Sequence, residues 1–205
     1  MSEEKKVFIL DDVIKEKRRT LNVRKEYTHI RGYHGCRPVC IDDYQKLGIK
    51  PIERNLALKE AVSRLCDKRI TKGMVKELFE KEWEKFHSVH KAVWFTFSKF
   101  HLLDDCGHYL IYGSEFICGM AARLYCQNNL REIGRPTIFG CDLPLKNIPS
   151  WFLSDIQKKV LTGDNGGGFK VIGEVPSEEI VEISYPDQIS DPLRHNVLYK
   201  YQPNA

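Results

Sequence analysis

The stretch THIRGYHGCR, residues 28–37, decides how the centre of this chain folds. It predicts a short strand that ends in the pair His34 and Gly35 and runs into a basic residue. The following segment DYQKLGIKP, residues 43–51, predicts one helical turn that ends at Gly48 and leaves as extended chain. A glycine after a histidine lets a ligand lie on the backbone, because no Cβ stands in the way. We therefore expect a ligand site where this strand ends.

The pair His34 and Gly35 suits a particular kind of ligand. The imidazole can hydrogen-bond a ligand hydroxyl, and the bare glycine backbone can face a flat ring that carries an amide. A ring of that kind joined to a ribose is the nicotinamide end of NAD. A purely structural interpretation stays open, in which His34 ends the strand and Gly35 makes a turn.

The segment HGCR (residues 34–37), followed by a short helix and LGI (residues 47–49), resembles the first motif of the ADP-ribosyltransferase superfamily. It is most similar to the His-Gly-Ser/Thr-Arg…Gly-Leu segment of the poly(ADP-ribose) polymerase-like branch, which includes bacterial ADP-ribosylating toxins. The resemblance is sharp in this segment and diffuse elsewhere. It implies that His34 bonds the ribose beside nicotinamide and that the Gly35 backbone pairs with the carboxamide. It assigns the phosphates to Arg37 or another basic group.

The resemblance also implies an aromatic ring that stacks on nicotinamide. The segment WFT, residues 94–96, loosely matches the family's second strand and places Phe95 in the NAD site, with Trp94 where tyrosine is usual. Tyr109 or Tyr112 can supply the stacking ring after this strand, because an aromatic face suits a cationic pyridinium. Both tyrosines fit equally well in a core with their hydroxyl groups bonded.

The third feature that the resemblance implies is a glutamate on a late strand. Breaking the nicotinamide–ribose bond places positive charge on the ribose, as in glycoside cleavage, and a nearby carboxylate stabilises that charge. Glu182, in the segment VEISYPDQI (residues 181–189), lies on a predicted strand and is the preferred catalytic residue. Glu115 is the alternative: it begins a predicted helix after a Gly-Ser pair, where its charge also favours the helix dipole.

Composition and hydrophobic pattern bound the fold. A chain of 205 residues that is 42% apolar and 29% charged is expected to form one soluble globular domain over residues 1–205. Helices are predicted in residues 11–25, 43–48, 52–67, 71–87, 113–130 and 149–161, mostly ahead of the later strands. Strands are predicted in residues 28–35, 92–98, 137–143, 169–172 and 180–185. This order favours an α+β fold over parallel βαβ units, and the resemblance implies two small antiparallel sheets with flanking helices.

Cysteine usage and the chain start indicate the compartment. The seven cysteines are scattered and include no paired Cys-x-x-Cys set, so we expect reduced thiols and no metal. A cysteine nucleophile at Cys36, on the strand face of His34, is a minor alternative. No apolar run reaches the ~20 residues that a membrane span needs, and the N-terminus is unlike a signal peptide. We expect a cytoplasmic protein without membrane contact.

Charge gives a weak indication of partners. The net charge of +4 is mildly basic, and residues 1–27 predict a basic helical segment. Its cations are Lys15, Lys17, Arg18, Arg19, Arg24 and Lys25. Such a stripe is either a solvated helix face or a nucleic-acid contact.

Together with the resemblance, these features predict an NAD-dependent mono-ADP-ribosyltransferase of the toxin or phage-defence type. Its expected co-substrate is NAD, and its expected acceptor is RNA or DNA. A neutralising antitoxin is implied by the family alone. Three alternatives stay open: a protein-targeting transferase, an NAD glycohydrolase that uses water as acceptor, and a non-catalytic domain that binds nucleic acid or a ligand.

Overall fold

The computed structural model describes residues 4–18, 20–87 and 91–202, and a six-stranded sheet forms its centre. The strands are β1 (Val7–Phe8), β2 (His29–Cys36), β3 (Trp94–Thr96), β4 (Thr137–Pro144), β5 (Gly168–Lys170) and β6 (Ile180–Ser184). They lie in the order β5-β3-β2-β4-β6, and β1 runs parallel to the start of β2. The other pairs in this sheet are antiparallel. A separate antiparallel pair consists of β7 (Gln188–Asp191) and β8 (Val197–Lys200).

Eleven α-helices surround the sheets in the described part of the chain. Those before β3 are α1 (Leu10–Lys15), α2 (Val23–Glu26), α3 (Asp42–Leu47), α4 (Arg54–Leu65) and α5 (Lys72–Lys85). Those between β3 and β4 are α6 (Lys99–Asp104), α7 (His108–Tyr112), α8 (Glu115–Arg123) and α9 (Gln127–Arg131). After β4 come α10 (Ser150–Ser154) and α11 (Ile156–Thr162). None of the described helices has the length and apolar character required to cross a membrane.

Strand β2 is the central strand, and its pairing decides which side chains share a face. It pairs with β4 over its whole length, with Tyr33 opposite Gly140 and His34 opposite Phe139. Successive side chains of a strand point to opposite faces. The sheet therefore has a Tyr33 face and a His34 face, which we name after these two neighbouring residues.

A separate hydrophobic cluster covers each face. On the His34 face, Ile30 and Phe139 pack in one cluster with residues of α1 and α11, including Val13 and Ile156. On the Tyr33 face, Tyr33 and Ile138 join a second cluster built from α4, α5, α7 and α8. The sheet is thus buried between helices on both sides, which gives the site a rigid support.

The predicted α+β class agrees with this mixed helix-and-sheet architecture, but three predicted helices are wrong as single elements. The helix expected over residues 149–161 is divided at Asp155 into α10 and α11. The helix expected over residues 11–25 is two short helices, because Lys17 takes a φ of 53° after α1 and Asn22 caps α2. Arg19 of the predicted basic stripe lies outside the described residues. The helix expected over residues 113–130 breaks at Tyr125, which has a φ of 55°. The short elements β1, α6, α7, β7 and β8 were not predicted.

Candidate functional site

A cavity of about 450 Å³ lies at the end of β2. Five of the residues that the sequence predicted for the NAD site line it: His34, Gly35, Arg37, Tyr109 and Glu115. The segments at its wall are β2, the chain before and within β3, α4, α7 and the start of α8. The volume is in the range of pockets that hold small ligands.

His34 is held in a neutral form with a defined tautomer. Its Nδ1 lies 2.9 Å from the carbonyl oxygen of Trp94, and because a carbonyl can only accept, Nδ1 carries the hydrogen. Burial lowers the pKa of His34 below its usual value, more than the bond to Trp94 raises it. Nε2 is therefore an unprotonated acceptor on a residue that lines the cavity.

Gly35 has a packing reason to be glycine. A Cβ at this position would lie 2.9 Å from Leu102 Cδ2 and 3.3 Å from Leu110 Cδ2, on the helices α6 and α7. The absence of a side chain lets these helices approach the strand closely. The packing role explains the glycine without a ligand, although its backbone does line the cavity.

Tyr109 and Glu115 form a pair at the cavity wall. The Tyr109 hydroxyl donates to Glu115 Oε2 over 3.4 Å. Burial, followed by the charge of Glu115, raises the pKa of Tyr109, so the hydroxyl stays protonated as a donor. Glu115 is exposed and is the first residue of α8, whose N-cap Ser114 accepts from the Ile117 N–H at 3.2 Å. The helix start thus fixes the backbone of Glu115 at the cavity and leaves its carboxylate open to solvent.

Glu182, which the sequence analysis preferred as the catalytic glutamate, is not among the residues that line this cavity. It lies opposite Gly140, which in turn lies opposite Tyr33, so Glu182 belongs to the Tyr33 face. A Cβ at Gly140 would lie 3.1 Å from Glu182 Cβ and 3.5 Å from Tyr33 Cε1. The Glu182 carboxylate forms an ion pair with Lys99. Since His34 points to the other face, the sheet separates the two side chains.

Arg37 lines the cavity, but its guanidinium is bound in structural contacts. Only 2% of Arg37 is exposed, and its guanidinium donates to three backbone carbonyls, those of Ile133, Leu110 and Arg131. These bonds tie the end of β2 to α7 and to the chain after α9. Each of the three guanidinium nitrogens thus already has a backbone carbonyl as acceptor, which makes Arg37 a less suitable phosphate ligand than a guanidinium with an unpartnered nitrogen.

Tyr112 and Phe95 are core residues, which corrects their assignment to the NAD site. Tyr112 is buried, and its hydroxyl donates to Asp191 Oδ2 at 2.6 Å in the region where α7 meets β7. Phe95 is 2% exposed and stacks on Phe169, with its ring centroid 5.6 Å from that of His34. Phe95 therefore packs against the His34 ring and is not among the residues that line the cavity.

Sequence reasoning missed several residues of the cavity wall. They are Tyr44, Lys50, Glu60, Arg64, Phe86, Trp94 and Phe116, together with neighbouring backbone. One signal was present for Arg64. Ala57, Ala61 and Leu65 form the buried stripe of α4, and position 64 falls in the same stripe by helical spacing. A charged residue at a position where the pattern calls for an apolar one indicates a buried polar site.

The described residues form no metal-ligand cluster, and Cys36 is not an activated nucleophile. No group of three His, Cys, Asp or Glu side chains within residues 4–18, 20–87 and 91–202 is placed to hold a metal ion. Burial raises the pKa of the Cys36 thiol to about 12, so it is protonated at neutral pH. A protonated thiol is a poor nucleophile, which argues against the Cys36 alternative.

No family model, curated protein or solved structure matches this chain. The likeness to the ADP-ribosyltransferase motif therefore rests on the residues quoted above and on the cavity that they line.

A second cavity of about 890 Å³ lies beside the first and shares Arg37 with it. We call it the basic groove. Its lining includes the cations Arg37, Arg131, Arg135 and Lys200, the acids Asp42 and Glu132, and the rings of Tyr199 and Tyr201. The Arg131 guanidinium lies 4.7 Å from the Tyr199 ring centroid. Cations therefore outnumber acids at a surface that also carries aromatic rings.

The N-terminal basic stripe is partly neutralised by its own neighbours. Lys15 lies 3.7 Å from the carboxylate of Asp12, and Arg18 pairs with Glu26. None of these residues lines either cavity. The predicted stripe and the basic groove are therefore separate surfaces.

Proposed function

We propose that this protein is an NAD-dependent mono-ADP-ribosyltransferase with Glu115 as its catalytic carboxylate. The observation that carries the proposal is the convergence of His34, Gly35, Tyr109 and Glu115 on one cavity. These residues come from β2, α7 and α8, and are up to 81 positions apart in sequence. Three of them were expected on the resemblance to bind NAD, and the fourth is the carboxylate that the chemistry requires.

Each of these residues has a role that follows from its geometry. The neutral His34 offers Nε2 as an acceptor for a ribose hydroxyl, because Nδ1 is committed to the Trp94 carbonyl. The Tyr109 ring supplies an aromatic face for the cationic nicotinamide. The Tyr109 hydroxyl donates to Glu115 and so orients the carboxylate. These roles place the nicotinamide ribose between the end of β2 and the start of α8.

The reaction breaks the bond between the nicotinamide nitrogen and C1′ of the ribose. The electron pair of that bond leaves with nicotinamide, whose ring becomes neutral, and positive charge develops on the ribose. The Glu115 carboxylate stabilises this charge. An acceptor nucleophile then bonds to C1′ and loses its proton, for which the same carboxylate is a suitable base.

The proposed acceptor is a nucleic acid, and the basic groove supports this choice. Cationic side chains that track a backbone, combined with aromatic rings on which bases stack, are typical of single-strand binding surfaces. Arg135 and Lys200 are both exposed at the groove. The groove adjoins the cavity through Arg37, so a strand bound there lies close to the reacting ribose. A toxin or defence role and a neutralising partner rest on the resemblance alone.

Incubation with adenine-labelled NAD tests the proposal. RNA, DNA and a protein extract are offered as separate acceptors, and released nicotinamide is quantified in each reaction. We expect label on RNA or DNA with an equal amount of nicotinamide. Label on protein would show that the acceptor is a protein. Nicotinamide release without any labelled acceptor would show that water is the acceptor and that the enzyme is an NAD glycohydrolase. Neither label nor nicotinamide refutes the enzyme and leaves a binding domain.

A matched pair of variants tests the groove. Arg135→Gln should weaken nucleic-acid binding and lower labelling. Its difference in affinity from the wild type should shrink as salt is raised, because the variant makes one electrostatic phosphate contact fewer and depends less steeply on salt. Lys158→Gln removes an exposed cation on α11, which lines neither cavity, and should leave labelling unchanged. Equal labelling by both variants would show that the basic groove does not bind the acceptor.

A further inference from the structure

Arg64 is a buried cation in the wall of the cavity at the end of β2. It lies on α4, in the stripe formed by Ala57, Ala61 and Leu65, and only 5% of it is exposed. An arginine is almost never fully buried unless its charge and donors are matched. The position belongs to a buried apolar stripe, where an aliphatic side chain is the usual choice. The presence of a charged guanidinium there therefore needs an explanation.

The protein matches only part of the guanidinium. Arg64 Nη2 donates to the backbone carbonyl of Arg37 over 2.7 Å. Arg64 Nε faces Glu60 Oε1 at 2.8 Å in an ion pair whose alignment is poor for a hydrogen bond. The third nitrogen, Nη1, is buried and has no hydrogen-bond partner among the described residues. A buried charged donor without an acceptor is costly, so such a group in a cavity wall indicates a ligand that supplies the acceptor.

The cavity wall beside Nη1 includes a glycine. Gly113, which also lines the cavity, has a φ of 85°, and a Cβ placed there would lie 3.8 Å from Nη1. The nearest wall of the cavity is therefore bare backbone. The two contacts to Arg37 and Glu60 hold the guanidinium in one orientation, which lowers the entropy that a ligand contact would cost.

The charges around the cavity favour an anion. The cations in its wall are Arg64, Lys50 and Arg37, and the acids are Glu60 and Glu115. Each guanidinium nitrogen of Arg37 has a backbone carbonyl as acceptor, whereas Nη1 of Arg64 has no hydrogen-bond partner among the described residues. A planar guanidinium suits the oxygens of a phosphate group, with which it forms charge-assisted hydrogen bonds.

We propose that Arg64 is the anion-binding residue of this cavity and holds a phosphate group of the ligand through Nη1. The identification of that phosphate with the pyrophosphate of NAD rests on the proposed function. The anion site itself rests only on the unpartnered guanidinium. This assignment gives Arg64 the phosphate role that the sequence had suggested for Arg37.

Binding of inorganic pyrophosphate tests the inference without any turnover. The thermal midpoint of the full chain is measured against pyrophosphate concentration, with sodium chloride at equal ionic strength as the reference. A ligand that binds only the folded state raises the midpoint as its concentration rises. We expect a rise with pyrophosphate that exceeds the rise with chloride and grows with the logarithm of the pyrophosphate concentration. The absence of such a rise in the wild-type chain overturns the inference, whatever the variants do.

Two variants then locate the site. Arg64→Met replaces the buried guanidinium with an unbranched apolar side chain, and we expect at least a tenfold weaker pyrophosphate affinity. Arg54→Gln removes an arginine from the exposed start of the same helix, where it pairs with Glu80, and should bind as the wild type does. Equal affinity in Arg64→Met and wild type overturns the assignment.

The two proposals fail separately. Pyrophosphate binding that depends on Arg64, in a protein that releases no nicotinamide from NAD, keeps the anion site and refutes the transferase. Nicotinamide release by a protein in which pyrophosphate binding does not depend on Arg64 refutes the anion site and keeps the transferase.

Discussion

Replacing Tyr112 with phenylalanine distinguishes a core tyrosine from a ligand-stacking one. The Tyr112 hydroxyl donates to Asp191 Oδ2 at 2.6 Å, and the two residues are 2% and 1% exposed. In Tyr112→Phe, Asp191 keeps the Leu193 N–H on Oδ1 at 3.1 Å but loses the hydroxyl from Oδ2. A buried hydrogen bond to a charged group contributes about 1.5–3 kcal/mol. We therefore expect the free energy of unfolding to fall by ~2 kcal/mol.

Urea denaturation measures this change as a lower midpoint at an unchanged slope. A loss of that size corresponds to a fall in the thermal midpoint of about 4–8 °C for a chain of this length. Tyr125→Phe is the matched control, since Tyr125 is 92% exposed, and it should change stability by less than about 0.5 kcal/mol. The reasoning is refuted if Tyr112→Phe is as stable as the wild type but loses nicotinamide release or NAD binding.

Two further predictions concern a pair of glycines and a histidine. Gly48 has a φ of 73° and a Cβ there would lie 2.0 Å from the Val175 carbonyl oxygen, so Gly48→Ala should cost at least ~1–3 kcal/mol in urea denaturation. Gly119 lies on α8 with no atom within 4 Å of its Cβ position, so Gly119→Ala should raise the free energy of unfolding by about 0.5–1 kcal/mol. A change of the same sign in both glycine variants would contradict this prediction. Because burial lowers the pKa of His34 below the unfolded value, the unfolded chain binds more protons as the pH falls below ~6.5, and the folded state loses stability there. His34→Gln should therefore lose less stability than the wild type between pH 7.5 and pH 5, and equal losses would show that His34 does not carry this pKa shift.

The sequence predicted the fold best where strong local signals agreed with packing. The strand before Gly35, the helix capped by Thr71 and the stop at Gly48 all lie within one or two residues of their predicted bounds. The breaks at Lys17 and Tyr125 were not predictable, because these residues take positive φ values without a glycine to signal them. The strand pairs β1–β2 and β7–β8 are short. Whether such short strands form depends on their pairing partners and on the turn between them, and a local sequence pattern does not show this.

The candidate site was predictable in part, for a comparable reason. His34 and Gly35 were found because a local motif carries them, and they do line the cavity. The choice between Glu182 and Glu115 needed the strand register, since a shift of one residue decides which face a side chain takes. Sequence spacing cannot supply that register across strands separated by whole helices. The role of Arg64 depended on atoms of Arg37 and Gly113 that only the fold brings near.

The direct test of the central claim is the rate of nicotinamide release from NAD by Glu115→Gln beside Glu182→Gln. Glutamine keeps the size of each side chain and removes its charge, so both variants are expected to fold. We expect Glu115→Gln to lower the rate of nicotinamide release at least ~100-fold. The rate of Glu182→Gln should stay within a few-fold of the wild-type rate. Retained activity in Glu115→Gln together with its loss in Glu182→Gln would contradict the account and return the catalytic carboxylate to β6.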